Sequence, residues 1–199
     1  MLLHDRLKNR RIILASHSPR RREILTGAGL EYVLADNYEV EERYPATLAP
    51  EKVAPYLARL KSDAYPLPLH PDEILLTADT VVIAHGQVLG KPQDPEDARR
   101  MLRILAGTTH TVVTGVCIRS AEKSDCFPVR SEVTFGALSE EEIAWYVDRF
   151  HPMDKAGSYG IQEWIGYIGI ERIEGSFYNV MGLPVQALYR KLETFIDKP

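Results

Sequence analysis

Cysteine is scarce: Cys117 and Cys126 are the only two in 199 residues, nine positions apart, with no CxxC pattern and no histidine at metal-ligand spacing. So little sulfur builds neither a disulfide scaffold nor a cysteine-zinc site. Both are expected to be free thiols in a reducing cytoplasm, with a hairpin disulfide as the alternative. The six histidines form no HxxxH or HExxH pair, which argues against a histidine-ligated zinc site. GxxxxGK[ST] is absent, against a P-loop nucleotide hydrolase, and GxSxG is absent, against a serine-hydrolase elbow. No apolar run approaches the ~20 residues of a membrane span, and MLLHDRLKNRRIIL has no apolar stretch ending in a cleavage site. An untargeted chain with no membrane partner is expected. Positive charge is not in excess either, with 24 Lys+Arg against 28 Asp+Glu and a net charge of −4. No nucleic-acid partner is indicated. Neither an internal repeat nor a low-complexity segment occurs.

What is present is a local concentration of cations in residues 12–29, IILASHSPRRREILTGAG. The pattern predicts a buried strand, a tight turn, and a helix with Ser18 as N-cap and Pro19 in first position. Three arginines then fall where a helix already carries partial positive charge. An anion among them removes the conflict, because backbone N–H groups, a serine hydroxyl and guanidinium forks can converge on a phosphate.

Further along, residues 30–45 read as a short strand passing into an acidic loop with Glu39, Glu41 and Glu42. A helix follows, expected to become regular close to Pro55 and to carry Lys61 near its end. EILLTADTVVIA, residues 73–84, is the most strand-like run, and Asp79 interrupts it. A carboxylate there is costly to bury unless paired, protonated or bound to a metal. His85-Gly86 signals a turn, and Lys91 precedes Pro92. A helix opens at Asp94-Pro95 and stops at Gly107, and residues 110–120 and 127–138 read as antiparallel strands. Ser139 and Glu142 form a capping box. Residues 151–162, with Asp154, Lys155 and Gln162, lose all periodicity and read as a functional loop. Strands at about 165–173 and 177–182 and a last helix after Pro184 complete the chain. Strands and helices intermix throughout, so the class is α/β. The unusual polar residues suit hydrolysis of a nucleoside polyphosphate: cations to neutralise phosphates, and carboxylates to hold a divalent metal or take a proton from water.

LASHSPRRREIL, ADTVV, LGKP, the pattern ML-x-x-L-x-G-x-x-H-x-V-x-TGV over 101–116, DKAGSYGIQ and IEGSFYNVMGLP occur in that order over residues 14–184. Together they resemble the Maf family of nucleotide pyrophosphatases. The resemblance implies a single Maf-like domain over 1–199, of two lobes around a cleft, similar to the inosine triphosphate pyrophosphatase fold. It implies cleavage of a nucleoside triphosphate between the α- and β-phosphates with a divalent cation, Mg²⁺ or Mn²⁺, and a homodimer. Matched by motif, Asp79 is the catalytic carboxylate, read as base or metal ligand. Ser16, Arg20, Arg21, Lys61 and Lys91 hold phosphates, and Glu42 helps with metal and water. Arg20, Thr80 and Gln162 resemble the branch acting on dTTP and UTP. Trp, Gln and Glu at these positions would mark the 7-methyl-GTP branch. A role as nucleotide-binding regulator of cell division or septum formation is the alternative from another class.

Overall fold

The computed structural model describes residues 2–197. The strands are β1 (Arg11–Leu14), β2 (Val33–Leu34), β3 (Glu73–Ala84), β4 (Gln87–Leu89), β5 (Thr109–Arg119), β6 (Ser124–Phe135) and β7 (Ile170–Glu174). The helices are α1 (Leu3–Arg6), α2 (Pro19–Gly27), α3 (Pro50–Asp63), α4 (Pro95–Leu105), α5 (Glu140–Phe150), α6 (Trp164–Gly169), α7 (Phe177–Met181) and α8 (Val185–Asp197), and a 3-10 turn covers Ala156–Ser158. The strands form one sheet in the order β2-β1-β3-β5-β6-β7, with β4 beside β3. The α/β class is therefore observed. No helix among the described residues is long and apolar enough to cross a membrane. The chain divides into two compact units, one made of residues 2–79, 114–129 and 182–197, the other of Thr80–Val113 and Arg130–Met181.

In the first unit β1 is parallel to both β2 and β3, with Ile12 opposite Ile74 and Leu14 opposite Leu76. Apolar residues on both faces of β1 suit a strand with neighbours on either side. Helix α8 buries Leu188, Leu192 and Phe195 on one stripe. Helix α3 departs from the expected start: it runs from Pro50, in first position, straight through Pro55. Pro55 supplies no N–H to the carbonyl four residues back. Burial of Val53, Ala54, Leu57 and Ala58 offsets that loss. So does a hydrogen bond of 2.7 Å from Thr77 Oγ1 on β3 to the Ala58 carbonyl. Contact between α3 and β5 is so close that a Cβ on Gly115 would lie 2.4 Å from the Ala54 carbonyl and from Pro55 Cα.

The β5–β6 hairpin turns at Ser120–Lys123 and joins Cys117 to Cys126 in a disulfide, with Cα atoms 4.1 Å apart. This overturns the expectation of free thiols. The nine-residue spacing puts the two cysteines directly opposite on adjacent strands, where Cα separations are short.

In the second unit His85 and Gly86 both take positive φ, 51° and 74°, and close the β3–β4 hairpin as a two-residue turn. Both helix starts read from the sequence are made: Asp94 accepts the Asp97 N–H, and Ser139 and Glu142 complete a reciprocal capping box. Between them α4 and α5 bury Met101, Leu102, Leu105, Ile143, Tyr146 and Val147. The two strands expected at 165–173 and 177–182 are not formed as such; α6, β7 and α7 occupy that stretch. The Gly166 N–H bonds the Glu163 carbonyl, and lack of a side chain at Gly166 lets the chain coil onto the Ile161 carbonyl. Ser176 Oγ accepts the Asn179 N–H at the start of α7. Short apolar runs do not distinguish strand from helix by periodicity, and these local bonds decide it.

His110 sits in this unit's core between Phe135 and Tyr159, with Nε2 2.8 Å from the Tyr159 hydroxyl and Nδ1 buried without a partner. Burial pulls it from the usual 6.5 to about 4. Below about pH 6.5 the unfolded chain takes up a proton that the folded chain refuses until about pH 4, so stability is full above 6.5 and falls as pH drops through that window. A shift of that size corresponds to about 3 kcal/mol. Denaturant midpoints from pH 7 to 4 should show wild type losing that much more than His110→Gln; parallel curves would refute it.

Candidate active site

In the first unit, Asp79 stands on β3, a strand buried over nearly its whole length, and is itself 9% exposed. Its Oδ1 accepts a hydrogen bond of 2.6 Å from Lys61 Nζ, in the last turn of α3. The same ammonium lies 3.0 Å from Glu42 Oε2. One cation thus spans two carboxylates from different segments, which explains why Asp79 is tolerated there. The acidic loop offered three candidates by sequence, and the structure separates two of them: Glu42 reaches Lys61, while Glu41 pairs with Arg43 at 2.8 Å. Tyr38 holds the arrangement from behind. Its hydroxyl, pushed up to about 12 by burial and so a dependable donor, bonds the Lys61 carbonyl at 2.8 Å.

The turn from β1 to α2 supplies the other half of this cluster. Ser18 and Pro19 take the expected cap and first positions, but the Ser18 side chain makes no cap bond. Instead the Ser18 N–H donates to Ser16 Oγ at 3.2 Å, and Arg21 Nη1 donates to the same oxygen at 3.2 Å. Arg21 Nε is anchored on the Gly182 carbonyl at 2.8 Å, which places the GLP end of the last motif against the arginine. Burial draws the Arg21 guanidinium below its usual value and Arg20 adds to this, while Asp79 and Glu42 oppose it. An arginine so placed remains a cation. Ser16, Arg21, Glu42, Lys61 and Asp79, scattered over the sequence, are therefore brought together.

Thr80, Lys91 and Gln162 belong to the second unit. Thr80 is half-buried and Lys91 exposed. The Gly157 N–H donates to the Gly90 carbonyl at 3.0 Å, tying the segment that carries Lys91 to the loop that carries Gln162. Gln162 is half-buried and its Oε1 is buried with no hydrogen-bond partner. Lys155, a loop cation by sequence, is only 8% exposed and paired with Asp154 at 2.7 Å and Glu163 at 3.0 Å. Sequence reading passed over Glu163 and Tyr146; the position of Glu163 next to Gln162 was the one available signal.

Among the described residues no group of three or more His, Cys, Asp or Glu could hold a metal ion. Asp79 and Glu42 make a two-carboxylate set. That fits a hard cation such as Mg²⁺, which takes one or two carboxylates and completes its shell with water and substrate phosphate.

Residues 11–195 match the family model described as Maf-like protein. A protein of Porphyromonas gingivalis named dTTP/UTP pyrophosphatase is 55% identical over 193 residues, covering 96% of this chain and 97% of its own. A protein of the same name from Bacteroides thetaiotaomicron is 54% identical over 182 residues, 92% and 94% of the two chains. Among solved structures, a HAM1 protein from Coxiella burnetii aligns over 95% of this chain and 100% of its own, at 12% identity and a TM-score of 0.45. With the family pattern matched from Arg11 to Phe195 and more than half of the aligned residues identical to these relatives, the chain belongs to the Maf family.

Proposed function

We propose that the protein hydrolyses dTTP and UTP between the α- and β-phosphates, giving the monophosphate and pyrophosphate. The observation that carries this reading is the Lys61 ammonium held between Asp79 and Glu42, in the unit that also holds the Arg21–Ser16 pair. Relatives more than 50% identical over nearly the whole chain bear that activity in their names.

Lys61, Arg21 and Arg20 neutralise the polyphosphate, and the Ser16 hydroxyl offers it a further hydrogen bond. Lys91 is assigned to the same task. As substrate phosphates take over Lys61, Asp79 is released to act on the attacking water, either as base or as metal ligand; both roles need the ionised carboxylate. The water oxygen bonds to phosphorus as the bridging P–O bond breaks, the water proton leaves to the carboxylate or solvent, and pyrophosphate departs. Asp79 and Glu42 would hold Mg²⁺ or Mn²⁺, which when bound supplies charge neutralisation and a more acidic water. Gln162 suits the base. Its amide offers donor and acceptor together, and uracil and thymine present an N3–H flanked by carbonyls. Arg20 and Thr80 go with the same branch. A homodimer and a cytoplasmic location go with this reading, as does the lack of a nucleic-acid partner. The Cys117–Cys126 bond would be unusual in that compartment.

The test is pyrophosphate release with Mg²⁺ across dTTP, UTP, CTP, GTP and 7-methyl-GTP. Turnover of dTTP and UTP is expected, one pyrophosphate per monophosphate and no orthophosphate. Gln162→Glu should lower kcat/KM for both by about a hundredfold, because a carboxylate repels the base carbonyls. Orthophosphate as product, or turnover confined to 7-methyl-GTP, would overturn the assignment.

A further inference from the structure

Gln162 Oε1 has no hydrogen-bond partner, yet a single hydroxyl bonds the residues on either side of the turn that carries Gln162. The Glu163 N–H donates to the Gly160 carbonyl at 3.0 Å, which makes Gly160–Glu163 a closed turn with Gln162 in its third position. The Tyr146 hydroxyl on α5 accepts the Gly160 N–H at 3.0 Å and donates to Glu163 Oε2. It thereby grips both ends of the turn. Glu163 Oε1 is bound in addition by Lys155 Nζ at 3.0 Å. A Cβ on Gly160 would stand 2.7 Å from the Glu163 carboxyl carbon, so glycine is what lets the carboxylate fold back over the turn. Ile161, beside Gln162, is 5% exposed and pins the turn to the core.

We propose that Tyr146, Glu163 and Lys155 form a clamp that presents the Gln162 amide to the base, so that Glu163 and Tyr146 are positioning residues for pyrimidine choice. The inference rests on the proposed dTTP/UTP activity and on Gln162 reading the base. The clamp costs little to keep assembled, because Lys155 retains a carboxylate on each side and burial together with Glu163 holds the tyrosine protonated, well above its usual value. Its failure would tilt the turn. Thymine and uracil, which need the amide in register, would suffer; cytosine, which offers an acceptor at N3 and a donor at N4, gains nothing from that register and would not.

The measurement is kcat and KM of wild type, Glu163→Ala and Tyr146→Phe for dTTP and for CTP, with melting curves alongside. In both variants KM for dTTP should rise about tenfold with kcat within about twofold, CTP constants should stay level, and the dTTP-over-CTP preference should fall about tenfold, the loss of one well-placed hydrogen bond. Adding Glu163→Ala to Gln162→Ala should lower the preference no further, since the two act in series. Equal losses for dTTP and CTP would reduce the clamp to a scaffold and overturn the proposal, as would an unchanged preference in Tyr146→Phe. A wild-type enzyme without turnover of dTTP, or with no preference for it over CTP, would instead overturn the functional reading beneath it.

Discussion

Asp79→Asn is expected to leave the protein folded and to cut kcat for dTTP by about a thousandfold, within the range seen when a positioned base is removed. Asparagine has the same shape, and its carbonyl can still accept the hydrogen bond that Lys61 now gives to Oδ1 at 2.6 Å. Removal of one partner from a buried ion pair is usually expensive because the other charge is stranded. Here Lys61 keeps Glu42 at 3.0 Å, so the stability loss should stay below about 2 kcal/mol. KM should not rise with the loss of rate. One negative charge fewer faces the polyphosphate, and ground-state binding should hold or tighten while turnover collapses. Pyrophosphate release and a melting curve on the same preparation separate the two effects. A variant within tenfold of wild type would remove Asp79 from the chemistry.

Gly115→Ala should lower stability by about 3 kcal/mol, the upper end of overpacking, and the melting temperature by roughly 10 °C. The added methyl would lie 2.4 Å from the Ala54 carbonyl carbon and oxygen and from Pro55 Cα, where ordinary contact begins near 3.4 Å. All three are backbone atoms with no rotamer to change, and proline stiffens the chain at that point. Relief therefore requires α3 to move off β5. Lys61 lies about two turns further along the same helix, so a displacement of about 1 Å should also cost on the order of a hundredfold in kcat/KM. Loss of stability with full activity would show that α3 accommodates the methyl locally, without moving Lys61.

Neither consequence of Gly115 could be read from TGV as a string, since the clash depends on a helix sixty residues earlier. The Pro55 case is similar. Local rules stop a helix at proline, but four buried side chains and the Thr77 bond outweigh one missing N–H. Cys117 and Cys126 failed for a different reason: composition speaks to compartment, whereas pairing depends on which residues face each other across a hairpin. Helix α6 lay in a run too short for its period to be read. Of three neighbouring glutamates, spacing could not select Glu42, and Lys155 looked like a binding cation until its two carboxylate partners were located.

The sequence by itself determined the α/β class, the strand around Asp79, the turn chemistry at His85-Gly86, the caps at Asp94 and Ser139, and the family, through motifs whose residue types and order survive as a string. These are local properties, set within a few residues by dihedral preference, capping and side-chain alternation. The tertiary structure alone decided that Lys61 bridges Asp79 and Glu42, that Arg21 ties Ser16 to Gly182, that Gly115 admits α3, and that Tyr146 closes the turn bearing Gln162. Each depends on where distant segments come to lie, and that is settled by burial of apolar surface summed over the whole core rather than by any stretch of chain on its own.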